Sequence, residues 1–210
     1  MHLVLASASP RRAELLRAAG FAFDVLAVDV DERVRAGELP GDYVRRLAME
    51  KSARGLQSLG LAAAAGGAVR TANRTDVVLI GADTAVIVDG TIFGKPRDPA
   101  DAAAMLRRLS GRSHQVLTGV SVRTAARELG RVEVTTVSFS RLSDAELAWY
   151  VEHGEGLDKA GGYAIQGLAS RFIPAIVGSY SNVVGLPIAA VHELVTEIAS
   201  QDASGYSVTK

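Results

Sequence analysis

The chain contains no cysteine. Disulfides, thiol catalysis and zinc–thiolate sites are therefore excluded. Neither charge is in excess: 23 Lys and Arg face 23 Asp and Glu, for a formal net charge of +0. No global field favours nucleic acid or a membrane surface, so any phosphate binding must rest on local clusters. Aromatic residues make up 5% of the chain, and no basic stripe interleaves with them. A nucleic-acid partner is not expected. No apolar run reaches the roughly 18 residues of a membrane span, and the N-terminus lacks the basic and long apolar regions of a signal peptide. A cytoplasmic protein without a membrane partner is expected. There is no GxGxxG fingerprint and no GxSxG elbow. GTIFGKP falls short of a Walker A loop, with three residues between its glycines and Pro96 in place of the Ser or Thr. The histidines His2, His114, His153 and His192 lack ligand or triad spacing, so surface or packing roles are expected.

What is present begins at the N-terminus, with LVLASASPRRAELLRAAG. An apolar run over residues 2–6 predicts a buried strand. Ser9 and Pro10 then suit the N-cap and first position of a helix ended by Gly20. Arg11 and Arg12 fall in its first turn, where the helix dipole is positive and each cation costs roughly 0.3–1 kcal/mol. A compensating anion would relieve that cost. Free N–H groups beside two guanidiniums describe a phosphate cradle. The plainer alternative is two solvated arginines.

Length and composition bound the rest. At 210 residues, 48% hydrophobic, the chain can bury a core without staples as one domain or one domain with two lobes. We read a single domain over 1–200, a loop insertion at 60–75 and a polar tail over 201–210. Phe21 to Val28 reads as a strand, and Asp29 to Pro40 as an acidic loop. A helix is expected from Asp42, as N-cap, to about Leu59. Its stripe of Val44, Leu47, Ala48 and Lys51 places a lysine on an inward face, either snorkelling or pointing into a cleft. Val77 to Ile80 is a buried strand, and Val86 to Phe93 a hairpin turning at Asp89-Gly90 as type I′. That register sets Val86 opposite Phe93 and Thr84 opposite Lys95. In a regular ladder Asp83 would face away from Lys95, so convergence calls for a bulge or bend near Gly81 or Gly94. Asp98-Pro99 opens a helix ending near Ser110. Gln115–Val122 and Val132–Phe139 alternate as strands. Ser143 and Glu146 form a capping box for a helix through about Val151. Residues 154–187 are Gly-rich and irregular, and Pro187 starts a last helix to about Ala199.

The groups fit for chemistry sit at element ends: Arg11, Arg12, Asp31, Glu32, Lys51, Asp83, Lys95, Arg97, Asp158 and Lys159. In open α/β sheets, ligands bind beyond the carboxyl ends of strands, where Asp83 and the Ser7–Arg12 turn are placed. A few carboxylates suit a magnesium ion that bridges to phosphate, and Arg and Lys suit the phosphate chain itself. Asp83 could orient or deprotonate a water. Asp98 reads as a helix cap and Arg97 as a surface residue. The residues alone describe a metal-assisted, phosphate-handling enzyme.

Five ordered blocks also resemble a known family: ASASPRRAELL, GADTAVIVDGTIFGKP, LSGRSHQVLTGV, KAGGYAIQG and GSYSNVVGLP. They are similar to those of the Maf nucleoside triphosphate pyrophosphatases, in order from residue 3 to about 198. The resemblance implies an α/β fold: an elongated mixed β-sheet flanked by helices, with two lobes and a central cleft, as in inosine triphosphatases. It implies hydrolysis between the α and β phosphates, with a divalent metal, Mg²⁺ or Mn²⁺. By the same resemblance, Ser7 and Arg12 hold phosphate, Glu32 and Asp83 bind metal, Lys51 and Lys95 neutralise the triphosphate, and Asp83 is the general base. Arg11, Thr84 and Gln166 resemble the dTTP/UTP branch. A Gln amide offers a donor and an acceptor to a pyrimidine edge; the plainer alternative is an amide that braces its loop. A homodimer is common among such enzymes. The alternatives are a nucleotide-binding regulator of septum formation without turnover, and a phosphotransferase or nucleotidyltransferase.

Overall fold

A single long strand organises the molecule. In the computed structural model, which describes residues 1–60 and 77–204 (side chains to 201), β3 spans Val77–Val88. Its apolar, β-branched composition suits a strand buried on both faces. Five further strands are β1 (His2–Leu5), β2 (Phe23–Val25), β4 (Thr91–Phe93), β5 (Ser113–Arg123) and β6 (Glu128–Ser138), and β7 (Ala175–Val177) completes a seven-stranded sheet. The order is β2-β1-β3-β5-β6-β7, with β4 paired to β3 off this path. β1 pairs in parallel with β2 and β3, and the other pairs are antiparallel. The sheet is mixed, as expected of the fold class.

One edge of β3 is shared by two partners. β1 pairs with Val77–Ile80 and β4 with Val86–Val88. Between them, residues 81–85 have no strand on that side among the described residues, while β5 covers the other edge without interruption. The sheet forks there, and the fork opens a cleft at Asp83 and Thr84.

Helices cover both faces. α2 (Pro40–Ser58) lies on one, where Tyr43, Val44 and Leu47 meet Ala85, Ile87 and Leu117. It can lie so close because Gly81 and Gly119 lack side chains: a Cβ on either would stand 2.2 Å from a carbonyl oxygen of the helix. On the other face, α1 (Pro10–Ala18) and α6 (Ile188–Ser204) pack on β1, β3 and β5 through Leu16, Val191, Leu194 and Ile198. Beyond the fork, α3 (Pro99–Leu109) and α4 (Asp144–Glu152) pack on Val86, Val88, Val116 and Val137. Among the described residues no helix is long and apolar enough to cross a membrane.

Several expectations shift. No bulge interrupts β3 against β5. Instead β4 ends at Phe93, so Thr84 and Lys95 do not pair and the chain leaves the ladder before Lys95. α2 starts at Pro40, with Leu39 rather than Asp42 at the N-cap position, because Pro suits the first turn. The strand expected from Phe21 to Val28 shrinks to three residues. Ser9 holds the N-cap position of α1 without a side-chain cap bond; its N–H donates to Ser7 Oγ instead. The irregular stretch contains β7 and a short helix, α5 (Tyr180–Val184), each too brief to show a period. α6 continues past Ala199 into the polar tail. The 60–75 insertion and the end of the tail lie outside the described residues, save for Gly60. Elsewhere local chemistry held: Asp89 and Gly90 both take positive φ as a type I′ turn requires. Asp98 caps α3, and the Ser143–Glu146 box caps α4.

Candidate active site

The fork opens into a cleft of about 330 Å³ lined by the Ser7–Arg12 turn, Glu32, Lys51, Asp83, Thr84, Lys95 and Gln166, among others. Strand alternation splits β3 between two groups of ligands. Asp83 lies on the α2 face, and Thr84 on the α1 face. Each meets a cation from the helix on its own side.

Lys51 projects from α2 into the cleft rather than snorkelling. Its Nζ donates to Asp83 Oδ1 at 2.6 Å and to Glu32 Oε1 at 2.7 Å. Asp83 and Lys51 are both buried, whereas the Glu32 side chain is 51% exposed. Burial raises the Asp83 pKa, an effect that Lys51 and Arg12 oppose without cancelling. Burial also raises Glu32, but the Lys51 hydrogen bond and the charges of Lys51, Lys95 and Arg12 win, and its pKa falls. The two carboxylates thus share one ammonium yet differ in basicity.

Arg12 approaches from the other face. Its Nε donates to Gly185 O at 2.8 Å, Nη1 to Ser7 Oγ at 3.2 Å and Nη2 to Thr84 Oγ1 at 3.2 Å. All three acceptors are neutral, and burial lowers its pKa, with Asp83 acting against that. A buried guanidinium held by neutral oxygens keeps its charge available to an anion. Arg11 behaves differently: Nη1 reaches Asp158 Oδ2 at 3.3 Å across the cleft. Lys95 is exposed and makes no ion pair among the described residues. Thr84 lines the cleft, but its hydroxyl also contacts Thr118 Oγ1 and Gly185 O. Gln166 is exposed to the cleft, and its amide makes no hydrogen bond among the described residues. It does not brace its loop.

The loop carrying Glu32 is clamped by α2. Tyr43 Oη donates to Glu32 O at 3.0 Å, and Arg46 reaches Arg33 O at 3.1 Å and Asp31 O at 3.4 Å. Three consecutive carbonyls are therefore held by one helical turn. Sequence reasoning missed Tyr43, Arg46 and the Gly185 carbonyl, since no spacing in the chain joins them to the site. The exposed Asp31 pairs with Arg33, and Arg97 with Asp101 on the surface. Asp158 and Lys159 line the cleft and pair with each other. None of the histidines joins the site. His114 is a buried packing residue whose Nε2 lies 2.8 Å from Tyr163 Oη.

The sequence pattern of the family described as Maf-like protein matches residues 2–198. The chain belongs to the Maf family. A Maf relative from Anaeromyxobacter dehalogenans strain 2CP-C, named dTTP/UTP pyrophosphatase, is 52% identical over 191 residues, 89% of each chain. One from Symbiobacterium thermophilum with the same name is 46% identical, covering 93% of each chain. Another so named, from Shewanella oneidensis, is 45% identical and covers 94% of this chain and 98% of its own. Among solved structures, the Staphylococcus aureus Ham1 protein aligns with a TM-score of 0.38 at 17% identity, over 69% of this chain and 73% of that one.

Carboxylate oxygens are hard donors of the kind a divalent cation takes. Among the described residues no group of three or more acidic, His or Cys side chains forms a cage of its own. Two carboxylates on one ammonium suit instead a cation that arrives with phosphate and keeps some of its waters. The donor set therefore fits a divalent cation held jointly with phosphate oxygens.

Proposed function

We propose that this Maf chain hydrolyses dTTP and UTP to the nucleoside monophosphate and pyrophosphate. The observation that carries the reading is the convergence of Lys51 on Asp83 and Glu32, opposite the buried Arg12, in one cleft. The names of relatives matched over nearly the whole chain supply the substrate class.

Asp83 is the general base. Its Oδ1 is taken by Lys51, which leaves Oδ2 to receive a proton. Burial lifts its basicity above that of an ordinary aspartate. Water loses a proton to Oδ2 as its oxygen bonds to the α phosphorus. The bond from that phosphorus to the bridging oxygen breaks, and pyrophosphate leaves. Arg12, Lys51 and Lys95 stabilise the charge that grows on the phosphate oxygens. Glu32 would hold the divalent cation, with Asp83 beside it until it takes the proton, and the bound cation would neutralise phosphate charge. Ser7 and Arg11 complete the phosphate end, Thr84 holds Arg12 beside it, and Gln166 meets the base. The amide of Gln166 is free to pair with the O4 and N3 edge of a pyrimidine.

The test is product release from dTTP, UTP, CTP, GTP and ITP, with magnesium and with chelator. Monophosphate and pyrophosphate from dTTP and UTP, lost with chelator, support the reading. Orthophosphate would mean attack at the terminal phosphate. Binding without turnover of any nucleotide would replace the enzyme by a nucleotide-binding regulator.

A further inference from the structure

The wall of the cleft that presents Gln166 is built on one residue outside it. Glu155 follows α4 and does not line the cleft, yet both its carboxylate oxygens are committed to that wall. Oε2 accepts from Tyr150 Oη at 2.9 Å, and Oε1 accepts from the backbone N–H of Leu168 at 2.9 Å. Tyr150 Oη in turn accepts the backbone N–H of Ala164 at 3.1 Å. Residues 164–168, with Gln166 at their centre, are therefore pinned at both ends by one connected pair of side chains. Gly167 lies directly on the carboxylate: a Cβ there would stand 1.8 Å from Glu155 Oε1. The backbone carbonyl of Glu155 also accepts from Nζ of Lys159, which lines the cleft, at 2.6 Å.

The chemistry suits positioning. Tyr150 is 2% exposed, and burial, with Glu155 second, raises its phenol pKa, so it remains a hydroxyl that donates to one side and accepts from the other. A carboxylate accepts at two oxygens at once and donates nothing. It is the group that can close a tyrosine hydroxyl and a backbone N–H onto a single point. Gln166, between the pins, spends none of its own amide on the loop.

We propose that Glu155, acting through Tyr150, is a positioning residue for base recognition: it sets where the 164–166 segment meets the nucleobase without touching substrate. This rests on the proposed pyrimidine nucleotide activity. The phosphate end of the cleft is held independently, by Arg12, Lys51 and the Ser7 turn. Loss of Glu155 should therefore weaken base-dependent binding and spare binding of the phosphate chain.

The experiment compares the full chain with Glu155→Ala, Tyr150→Phe and Glu155→Gln, in calorimetry with UTP and with inorganic tripolyphosphate and in steady-state kinetics. The Gln variant retains one acceptor oxygen. Expected for Glu155→Ala is an increase of about tenfold in the UTP Kd and KM, as for a contact displaced by a fraction of an ångström. Tripolyphosphate affinity should stay within about twofold, and discrimination between UTP and CTP should narrow. Tyr150→Phe should follow it, and Glu155→Gln should fall between. Equal loss of UTP and tripolyphosphate affinity would overturn the proposal, since it would mark a general structural role. So would a wild type that binds UTP no better than tripolyphosphate. A wild type that binds UTP with preference but turns none over would remove the enzymatic reading alone, and the ratio of affinities would still decide the role of Glu155.

Discussion

The ammonium of Lys51 lies 2.6 Å from the carboxylate of Asp83, with both side chains about one-tenth exposed. A buried pair in which one member loses its partner is strongly unfavourable. Here Glu32 shares the ammonium, so Lys51 is never left alone when Asp83 takes up a proton. The pair can pass through a protonated Asp83 during turnover without stranding a charge. Asp83→Asn should therefore fold, and should lower kcat on the order of 10²–10³-fold. Steady-state assays on UTP, with circular dichroism to confirm folding, check this. Turnover at the wild-type rate would remove Asp83 as the base.

Arg12 tests the importance of a planar fork. Lysine at this position cannot reach Gly185 O, Ser7 Oγ and Thr84 Oγ1 together, because an ammonium on a flexible stem lacks the fixed geometry of guanidinium. Arg12→Lys should reduce kcat/KM by about 10²-fold despite conserving charge. The same assays report it, and wild-type kinetics would mean that charge alone suffices.

The clamp on the Glu32 loop makes a prediction about metal. Arg46→Met releases Arg33 O and Asp31 O and leaves the Tyr43 bond to Glu32 O in place. The magnesium concentration for half-maximal rate should rise about tenfold, with kcat at saturating metal nearly unchanged. A magnesium titration decides it. An unchanged midpoint would show that the loop holds its place without Arg46.

His114 gives stability a pH dependence. Burial lowers its pKa from 6.5 to about 4. Between those values the unfolded chain binds the proton and the folded one does not. The contribution is therefore complete above about pH 6.5 and is lost as pH falls through about 4, on the order of 3 kcal/mol in all. His114→Gln still offers Tyr163 Oη a partner but does not titrate. Its Tm should fall less steeply than wild type over this interval, and parallel Tm profiles would refute the assignment.

Gly81 tests the contact that brings α2 to the sheet. A Cβ there would lie 2.2 Å from Ala48 O and 2.7 Å from the Ser52 N–H nitrogen. Gly81→Ala should cost about 1–3 kcal/mol or more through overpacking, with Tm falling by about 2–4 °C for each kcal/mol. Lys51 sits in the same helical turn, so kcat should fall as well. Thermal melts and UTP assays together check this; a melt and a rate like those of wild type would mean that the helix yields at little cost.

Legibility in the sequence followed the range of the interaction. The type I′ turn at Asp89-Gly90, the Asp98 cap and the Ser143–Glu146 box were readable because each is settled within a few residues. The pattern of Val44, Leu47, Ala48 and Lys51 announced an inward lysine but could not say what it would meet. The convergence of Asp83 and Lys95 calls for a bulge or bend near Gly81 or Gly94. β3 runs without a bulge against β5 through Gly81, and the hairpin pairing ends at Phe93, next to Gly94.

By itself, the sequence determined the local elements, the family and the residue types available for phosphate chemistry, since these follow from neighbours along the chain and from motif order. Tertiary structure alone decided which charges meet. Lys51 reaches Asp83 and Glu32 only because two glycines let α2 press onto the sheet. Arg12 finds Gly185 O only because the last third of the chain returns beside α1, and Thr84 because β3 pairs with β1 next to that helix. Among the described residues the sheet has no partner strand between β1 and β4, and there the long-range packing leaves a cleft in which Lys51 and Arg12 approach opposite faces of β3.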